Sequence, residues 1–246
     1  MTSDKVPDQG GVFCSIVVPC YNEAGNLPAL LSGFGAALKA ADIELILVDN
    51  GSTDGTAALL RSAAPDFPFF RAVTCEKNLG YGGGILAGLG TAKGRFAGWT
   101  HGDLQYAPAD ILAAAESLRP FTREKIFLKG LRGNRAAADR FFTAGMSLFA
   151  SVSLGLRLED INAQPTFFTR SLFEGWKAPP ADFSLDLYAY ARALAGGYRI
   201  IRREVPLAKR RHGSSSWNRG LADRLRLARR MAGAILEMRK KLERDA

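Results

Sequence analysis

The sequence predicts a single α/β domain built on a mostly parallel central sheet flanked by helices, and three observations carry that expectation. Short apolar, β-branched runs recur along the chain; helical patterns of about ten residues separate them; and polar loops rich in Gly, Asn, Ser and Asp follow the first runs. Strand, helix, strand, helix at this spacing gives parallel strands joined by right-handed crossovers. Ligands of such sheets bind outside the carboxyl ends of the strands, so the loops that open there are the first place to look for chemistry.

Val12 to Pro19, with the run Ser15-Ile16-Val17-Val18, reads as the first buried strand, and Cys20-Tyr21-Asn22-Glu23 as its loop. Asn26 as N-cap and Pro28 in the first turn predict a helix to about Ala41. A second strand follows from Ile43 to Val48, then the loop Asp49-Asn50-Gly51-Ser52-Thr53-Asp54-Gly55-Thr56 and a helix from Ala57 to Ala63. Phe69 to Cys75 reads as the third strand. The cluster Asn78-Leu79-Gly80-Tyr81-Gly82-Gly83-Gly84 leads into a helix from Ile85 to Thr91. Its spacing is not G-x-G-x-x-G directly after the first strand, which excludes a Rossmann dehydrogenase; helix packing and close approach to a nucleotide both remain as uses for these glycines.

The apolar run Arg95 to Trp99 is the next strand, and Thr100-His101-Gly102-Asp103-Leu104-Gln105-Tyr106 follows it ahead of a Pro108-started helix to about Leu118. Asp103 and Gln105, two residues apart on an extended backbone, project to one side. Such oxygen donors suit Mg2+ or Mn2+ completed by substrate phosphates. The competing reading is that Asp103 only caps the turn and Gln105 is solvated. A strand near Lys125 to Lys129 comes next. Lys129, Arg132, Arg135 and Arg140 then precede the uncharged segment Phe141 to Leu156, which reads either as a core helix or as one lying in a membrane interface. Guanidinium groups beside such a helix suit a phosphate carried on a lipid. Thr166 to Thr169 reads as a strand, Ser171 starts a short helix, Asp182 to about Ala195 is a helix with Asp186 in its first turns, and Tyr198 to Val205 is the last strand.

The net charge of +9 sits in one place: residues 199–246 hold 15 Lys/Arg against 5 Asp/Glu, whereas residues 1–198 hold 18 against 19. Leu221 to about Leu242 carries part of that excess on an amphipathic helical pattern, which points to an anionic surface. Phospholipid is the better candidate, because the chain offers no nucleic-acid-binding motif or aromatic platform. No stretch reaches the roughly 18 apolar residues of a membrane span. The polar first ten residues lack the apolar core of a signal peptide, and Cys14, Cys20 and Cys75 read as reduced core residues, so a cytoplasmic protein peripheral on the inner face of the membrane is expected. The apolar 141–156 segment could serve a homodimer as readily as lipid.

Four patches, in order, carry a family resemblance: Ile16-Val17-Val18-Pro19-Cys20-Tyr21-Asn22-Glu23, Val48 to Thr56, Gly102-Asp103-Leu104-Gln105, and Arg211-His212-Gly213-Ser214-Ser215-Ser216-Trp217. Over about Cys14 to Trp217 the chain resembles the family 2 glycosyltransferases of the GT-A fold, and among them the dolichyl- and polyprenyl-phosphate sugar synthases. The resemblance implies a GT-A domain over 12–217, which the polar start of the chain and its basic amphipathic end bracket as a loose leader over 1–11 and a C-terminal helix over 218–246. It implies that Pro19, Tyr21, Glu23 and Asp49 cradle the nucleoside of a UDP- or GDP-sugar, with Asn22, Asn50, Lys77, Gly80 and Asp103 beside it. It implies that Asp103 and Gln105, with His101, hold Mg2+ or Mn2+ on the diphosphate, and that His212 and Ser214 belong to a loop closing over the acceptor beside Lys129, Arg132, Arg135 and Arg140.

Two departures stand out: Asp49-Asn50 replaces the usual paired aspartates, and His101 replaces the first carboxylate of D-x-D. The implied reaction is inverting transfer of a sugar to a lipid-linked acceptor, a polyprenyl phosphate or a glycolipid, in cell-envelope synthesis. A hydroxyl acceptor would need a base, for which Asp186 is the candidate and Asp160 the reserve. Three alternatives remain. A sugar nucleotidyltransferase is disfavoured by the absence of a Gly-rich basic loop after the first strand, a nucleic-acid-binding module by the missing motif, and a silent lipid-binding scaffold keeps the fold without the chemistry.

Overall fold

A computed structural model of the chain describes residues 11–133, 137–208, 229 and 232–239, with the side chains of 137–143 and 146 excepted. The elements run β1 (Cys14–Cys20), α1 (Leu27–Ala37), β2 (Ile43–Asn50), α2 (Thr56–Ala63), β3 (Phe70–Cys75), α3 (Gly80–Leu89), β4 (Phe96–Trp99) and α4 (Pro108–Glu116) in the first half. The second half holds β5 (Ile126–Arg132), α5 (Ala137–Leu154), β6 (Thr166–Thr169), α6 (Ser171–Glu174), α7 (Leu185–Ala195) and β7 (Arg199–Val205). Among the described residues these form one seven-stranded sheet in the order β3-β2-β1-β4-β6-β5-β7. Strands β1, β2, β3 and β4 are parallel, β5 and β7 are parallel, and β6 runs antiparallel to both of its neighbours.

The apolar runs form strands because both faces of the sheet are covered. One face packs Ile16, Val18, Leu45 and Leu47 against α1 and α4 residues such as Leu30, Phe34 and Ile111. The other packs Val17, Ile46, Val48, Trp99 and Phe168 against Ile85 and Leu89 of α3 and Leu187 and Tyr188 of α7. Alternation along each strand therefore feeds two cores, which is why the strands read as continuous apolar runs. Ile235 and Met238 are buried in the second core, so the described part of the C-terminal segment packs on the domain. The remainder of the expected 218–246 helix, the leader over 1–10, Arg135, His212 and Ser214 lie outside the described residues, as does the side chain of Arg140.

Three boundaries differ from expectation for physical reasons. Helix α1 ends at Ala37 because Leu38 turns extended at the C-cap. Helix α3 starts at Gly80, five residues early. Its glycines are packing devices: a Cβ on Gly84 would sit 2.8 Å from the Asn50 amide, and one on Gly88 2.4 Å from Val17. They let the helix lie on the sheet. Helix α7 starts at Leu185 with Ser184 as N-cap, while Asp182 accepts hydrogen bonds from the Ser184 N–H and hydroxyl in the turn before it.

Candidate active site

The parallel strands deliver their loops to one end of the sheet. Register sets Cys20 opposite Asp49, so the loops after β1 and β2 start side by side. Short polar side chains then lace them together. Asn22, in the left-handed region at φ 56°, accepts from the Thr53 N–H at 2.8 Å, and its own N–H donates to Ser52 Oγ. The Glu23 N–H donates to Thr56 Oγ1 at 2.8 Å and the Ala24 N–H to Asp54 Oδ2. Asn26 stands at the N-cap of α1 as expected, but its amide donates to Glu23 Oε2. Asp49 is buried, with Oδ1 accepting the Ser52 N–H.

The third wall comes from the loop after β3. Gly51 has φ 67°, and a Cβ there would lie 2.3 Å from the carbonyl carbon of Lys77. Asn50, where a second aspartate was the family expectation, uses its amide on that same loop: Nδ2 donates to the Gly80 carbonyl at 2.9 Å and Oδ1 accepts the Leu79 N–H. Asn50 therefore ties Gly80 and the start of α3 to the end of β2. Lys77 and Tyr21 are exposed, and Pro19 is partly so.

Thr100 continues β4 by donating its N–H to the Val17 carbonyl. The loop then bends at Leu104, φ 58°, so that Asp103 Oδ1 accepts the Gln105 N–H at 3.1 Å. The turn expected of Asp103 is thus real, and it also fixes the carboxylate at the mouth of the strands. Gln105 is fastened from the other side: its carbonyl accepts the Ala208 N–H at 2.8 Å. The His101 ring stacks between Tyr81, at 5.7 Å, and Tyr106, at 6.5 Å. Among the described residues no group of three His, Cys, Asp or Glu side chains converges as a metal cage.

A second cluster lies under the neighbouring strands, and it was not visible in the sequence. Lys129, expected among the cations greeting an acceptor, is wholly buried instead. Its Nζ donates to Asp186 Oδ1 at 2.6 Å and to Thr166 Oγ1 at 2.7 Å, because β5 and β6 set Lys129 directly opposite Thr166. Asp186 is 2% exposed; Oδ1 also accepts from Gln164 Nε2 at 2.9 Å, and Oδ2 accepts the Tyr81 hydroxyl at 2.7 Å. This carboxylate, the candidate base for a hydroxyl acceptor, faces the interior. Burial pushes the Lys129 ammonium down from its ordinary value, against the pull of Asp186. Burial raises the Tyr81 phenol well above its ordinary value and the Tyr106 phenol to about 12, so both remain protonated donors at neutral pH.

Arg132 and Asp160 make a separate pair near the same end. The Arg132 Nε donates to Asp160 Oδ1 at 2.9 Å and its N–H to Oδ2 at 3.1 Å, while the guanidinium Nη2 closes on Oδ1. Burial works against the charge, but Asp160 outweighs it and raises the Arg132 value. Tyr81, Gln164 and Thr166 were missed by sequence reasoning. Tyr81 alone left a signal, as the one aromatic within a run of glycines.

Residues 15–121, which span β1 to α4 and all three loops of the first cluster, match the family described as Glycosyl transferase family 2. The chain carries a family 2 glycosyltransferase domain. It is 32% identical over 213 residues to the undecaprenyl-phosphate 4-deoxy-4-formamido-L-arabinose transferase of Pseudomonas fluorescens, covering 83% of this chain and 60% of that one. It is 29% identical over 211 residues to the dodecaprenyl-phosphate galacturonate synthase of Rhizobium johnstonii, covering 82% and 61%. The chain thus spans about three-fifths of the length of these curated relatives. Among solved structures, glucosyl-3-phosphoglycerate synthase from Mycobacterium tuberculosis, crystallised with Mn2+, UDP and glucosyl-3-phosphoglycerate, superposes with a TM-score of 0.69 at 18% identity, covering 92% of this chain and 79% of that one. That likeness fixes the fold as GT-A, which the glycosyltransferase domain shares.

Proposed function

We propose that this protein is an inverting glycosyltransferase that moves a sugar from a nucleoside diphosphate to a polyprenyl phosphate in cell-envelope glycan or glycolipid synthesis. The laced loops after β1, β2 and β3 receive the nucleoside, with Tyr21, exposed at the rim, against the base and Asp49 below it. UDP is the first donor to test, because the neighbour of like fold binds it.

Asp103, with Gln105 and His101 beside it, is the place for a divalent cation. One carboxylate fits Mg2+ or Mn2+ that arrives with the diphosphate and keeps its other positions for phosphate oxygens and water. When bound, such a metal neutralises charge on the departing diphosphate. The protein's own part is to hold the Asp103 carboxylate through the Gln105 N–H and to brace His101 between two rings.

The observation that carries the choice of acceptor is the burial of Asp186. Both of its oxygens are occupied, by Lys129 and Gln164 on one side and Tyr81 on the other. A general base must reach the proton it takes at about 2.6–3.2 Å. Asp186 is turned away from such a role, and Asp160 has both oxygens on Arg132. A phosphate acceptor is already an anion and needs no base, so the site suits it better than an alcohol. Arg132 supplies a cation on that side, and Arg135 and Arg140, close to it in the sequence, are further candidates. Among the described residues no helix is long and apolar enough to cross a membrane; contact with the bilayer is proposed through the exposed Leu148, Phe149 and Val152 of α5 and the basic C-terminal segment, on the inner face of the membrane.

The test is an acceptor pair. With UDP-sugar and Mn2+, the protein is offered undecaprenyl phosphate or undecaprenol in the same detergent. Transfer to the phosphate alone is expected; transfer to the alcohol at a comparable rate would refute the acceptor assignment. Calorimetry with Mn2+ in the presence and absence of UDP checks the metal, which should bind measurably only when the nucleotide is present.

A further inference from the structure

We infer that Tyr81 is a positioning residue: its ring braces His101 beside the loop proposed to bind the diphosphate. The inference rests on the donor site proposed above and adds a residue to it. The geometry is a slab of four rings. Phe183 stacks on Tyr81 at 4.5 Å with the planes 7° apart, His101 stacks on Tyr81 at 5.7 Å and 27°, and Tyr106 follows His101 at 6.5 Å and 22°.

Both tyrosines of the slab are anchored. The Tyr81 hydroxyl donates to Asp186 Oδ2 at 2.7 Å and accepts from Gln164 Nε2 at 3.3 Å, while the Tyr106 hydroxyl accepts the Gln164 N–H at 3.3 Å. Gln164 therefore touches both tyrosines that flank His101. The backbone under Tyr81 is equally fixed: the Gly83 N–H donates to the Ala181 carbonyl at 3.0 Å, and a Cβ on Gly82 would lie 2.7 Å from the Ala181 carbonyl carbon. The first turn of α3 is thereby pressed onto the segment that carries Phe183 and leads into α7.

His101 is two residues from Asp103, in the position where the family resemblance expects a carboxylate. An imidazole there can serve the diphosphate only if its ring is held at one tilt, and the stack supplies that restraint. Aromatic pairs of this kind contribute about 0.5–1.5 kcal/mol beyond burial, which converts to roughly 2- to 13-fold in affinity. The effect is large enough to measure and passes through His101.

The test is a double-mutant cycle on UDP affinity, read by calorimetry with and without Mn2+ on the full chain, with far-UV circular dichroism and thermal unfolding as folding controls. Tyr81→Leu removes the ring and should weaken UDP about tenfold, and His101→Ala should do the same. Tyr81→Phe keeps the stack and should remain within about twofold of wild type. In the His101→Ala background, Tyr81→Leu should cost nothing further, because the residue through which it acts is gone. If Tyr81→Leu does not fold, Phe183→Leu, which strips the opposite face of the Tyr81 ring, takes its place in the cycle with the same expectation. Full additivity of the two losses, or a Tyr81→Phe variant as weak as Tyr81→Leu, would overturn the inference. A wild-type protein that binds no UDP, with or without Mn2+, would instead remove the donor assignment on which it rests.

Discussion

The two clusters at the carboxyl end of the sheet are built by opposite means. The side proposed for the donor is a lattice of short polar groups on adjacent loops, Asn22 with Ser52 and Thr53, Glu23 with Thr56, Ala24 with Asp54, of which only Thr56 is buried. The acceptor side is a buried ion pair, Lys129 with Asp186, satisfied by Thr166, Gln164 and Tyr81. Hydrogen bonds between exposed groups replace bonds to water and are individually worth little, whereas a buried charge deprived of its partner is costly. The comparison teaches that the loop lattice proposed for the donor can change its residues cheaply, while the buried pair beside the proposed acceptor side is a cornerstone of the second half of the fold.

That contrast can be broken or sharpened by separating activity from stability. Asp103→Ala should lower turnover by about 10²- to 10³-fold, the scale of losing one fixed electrostatic partner of the transition state. Its loss of stability should be smaller than that of a variant that strands a buried charge, and the two are compared by their urea midpoints. Asp186→Ala should do the reverse to the fold: leaving Lys129 buried without its counter-ion costs about 3–5 kcal/mol, read as a lower urea midpoint. The pair Lys129→Met with Asp186→Leu should recover most of that loss, since no charge is then stranded. A stable Asp186→Ala protein would erase the distinction between the two sides.

Smaller effects resolve the donor side itself. Gly51→Ala forces a side chain into the left-handed region at φ 67° and against the Lys77 backbone, so about 1–3 kcal/mol of stability should go, together with nucleotide affinity. The smallest is a pH effect. Burial raises the Asp54 carboxyl, but hydrogen bonds from Thr56 and the Ala24 N–H outweigh it and hold the group below 3.8. A carboxyl depressed in the folded state stabilises in full above its unfolded value and loses that contribution as pH falls through the folded one. The Ala24 and Thr56 amide resonances should therefore shift below about pH 3.8, and the shift should vanish in Asp54→Asn.

What could be read in advance follows the same division. The strands and loops of the first half were legible because their pattern is local: apolar runs of four to eight residues, then Asn, Asp, Gly and Ser at the turns, with partners some 30 positions apart in the two loops. The place of Asp103 was readable for the same reason. Lys129 and Asp186 are 57 residues apart, and Tyr81 and Asp186 are 105 apart. No spacing rule joins residues at such distances, so Lys129 read as an acceptor cation and Asp186 as a base until the sheet set β5 against β6. Antiparallel β6 was also hidden, since the four residues Thr166-Phe167-Phe168-Thr169 give no sign of strand direction. The glycines of α3 left close approach to a nucleotide and helix packing equally open because glycine serves both needs.

The insertion of β6 between β4 and β5 has a consequence for how the polypeptide matures as it leaves the ribosome. By the time Glu116 has emerged, β3, β2, β1 and β4 can already pair in parallel and the donor loops can close. The free edge of β4, however, must wait some fifty residues for Thr166–Thr169, the strand that later joins β4 to β5. During that interval the nascent domain offers an unpaired strand edge of the kind that invites wrong partners. The β4 edge is therefore open between the two halves of the protein, and a pause in translation near residue 120 should be more harmful than one after Val205, when β6 and β7 are both in place.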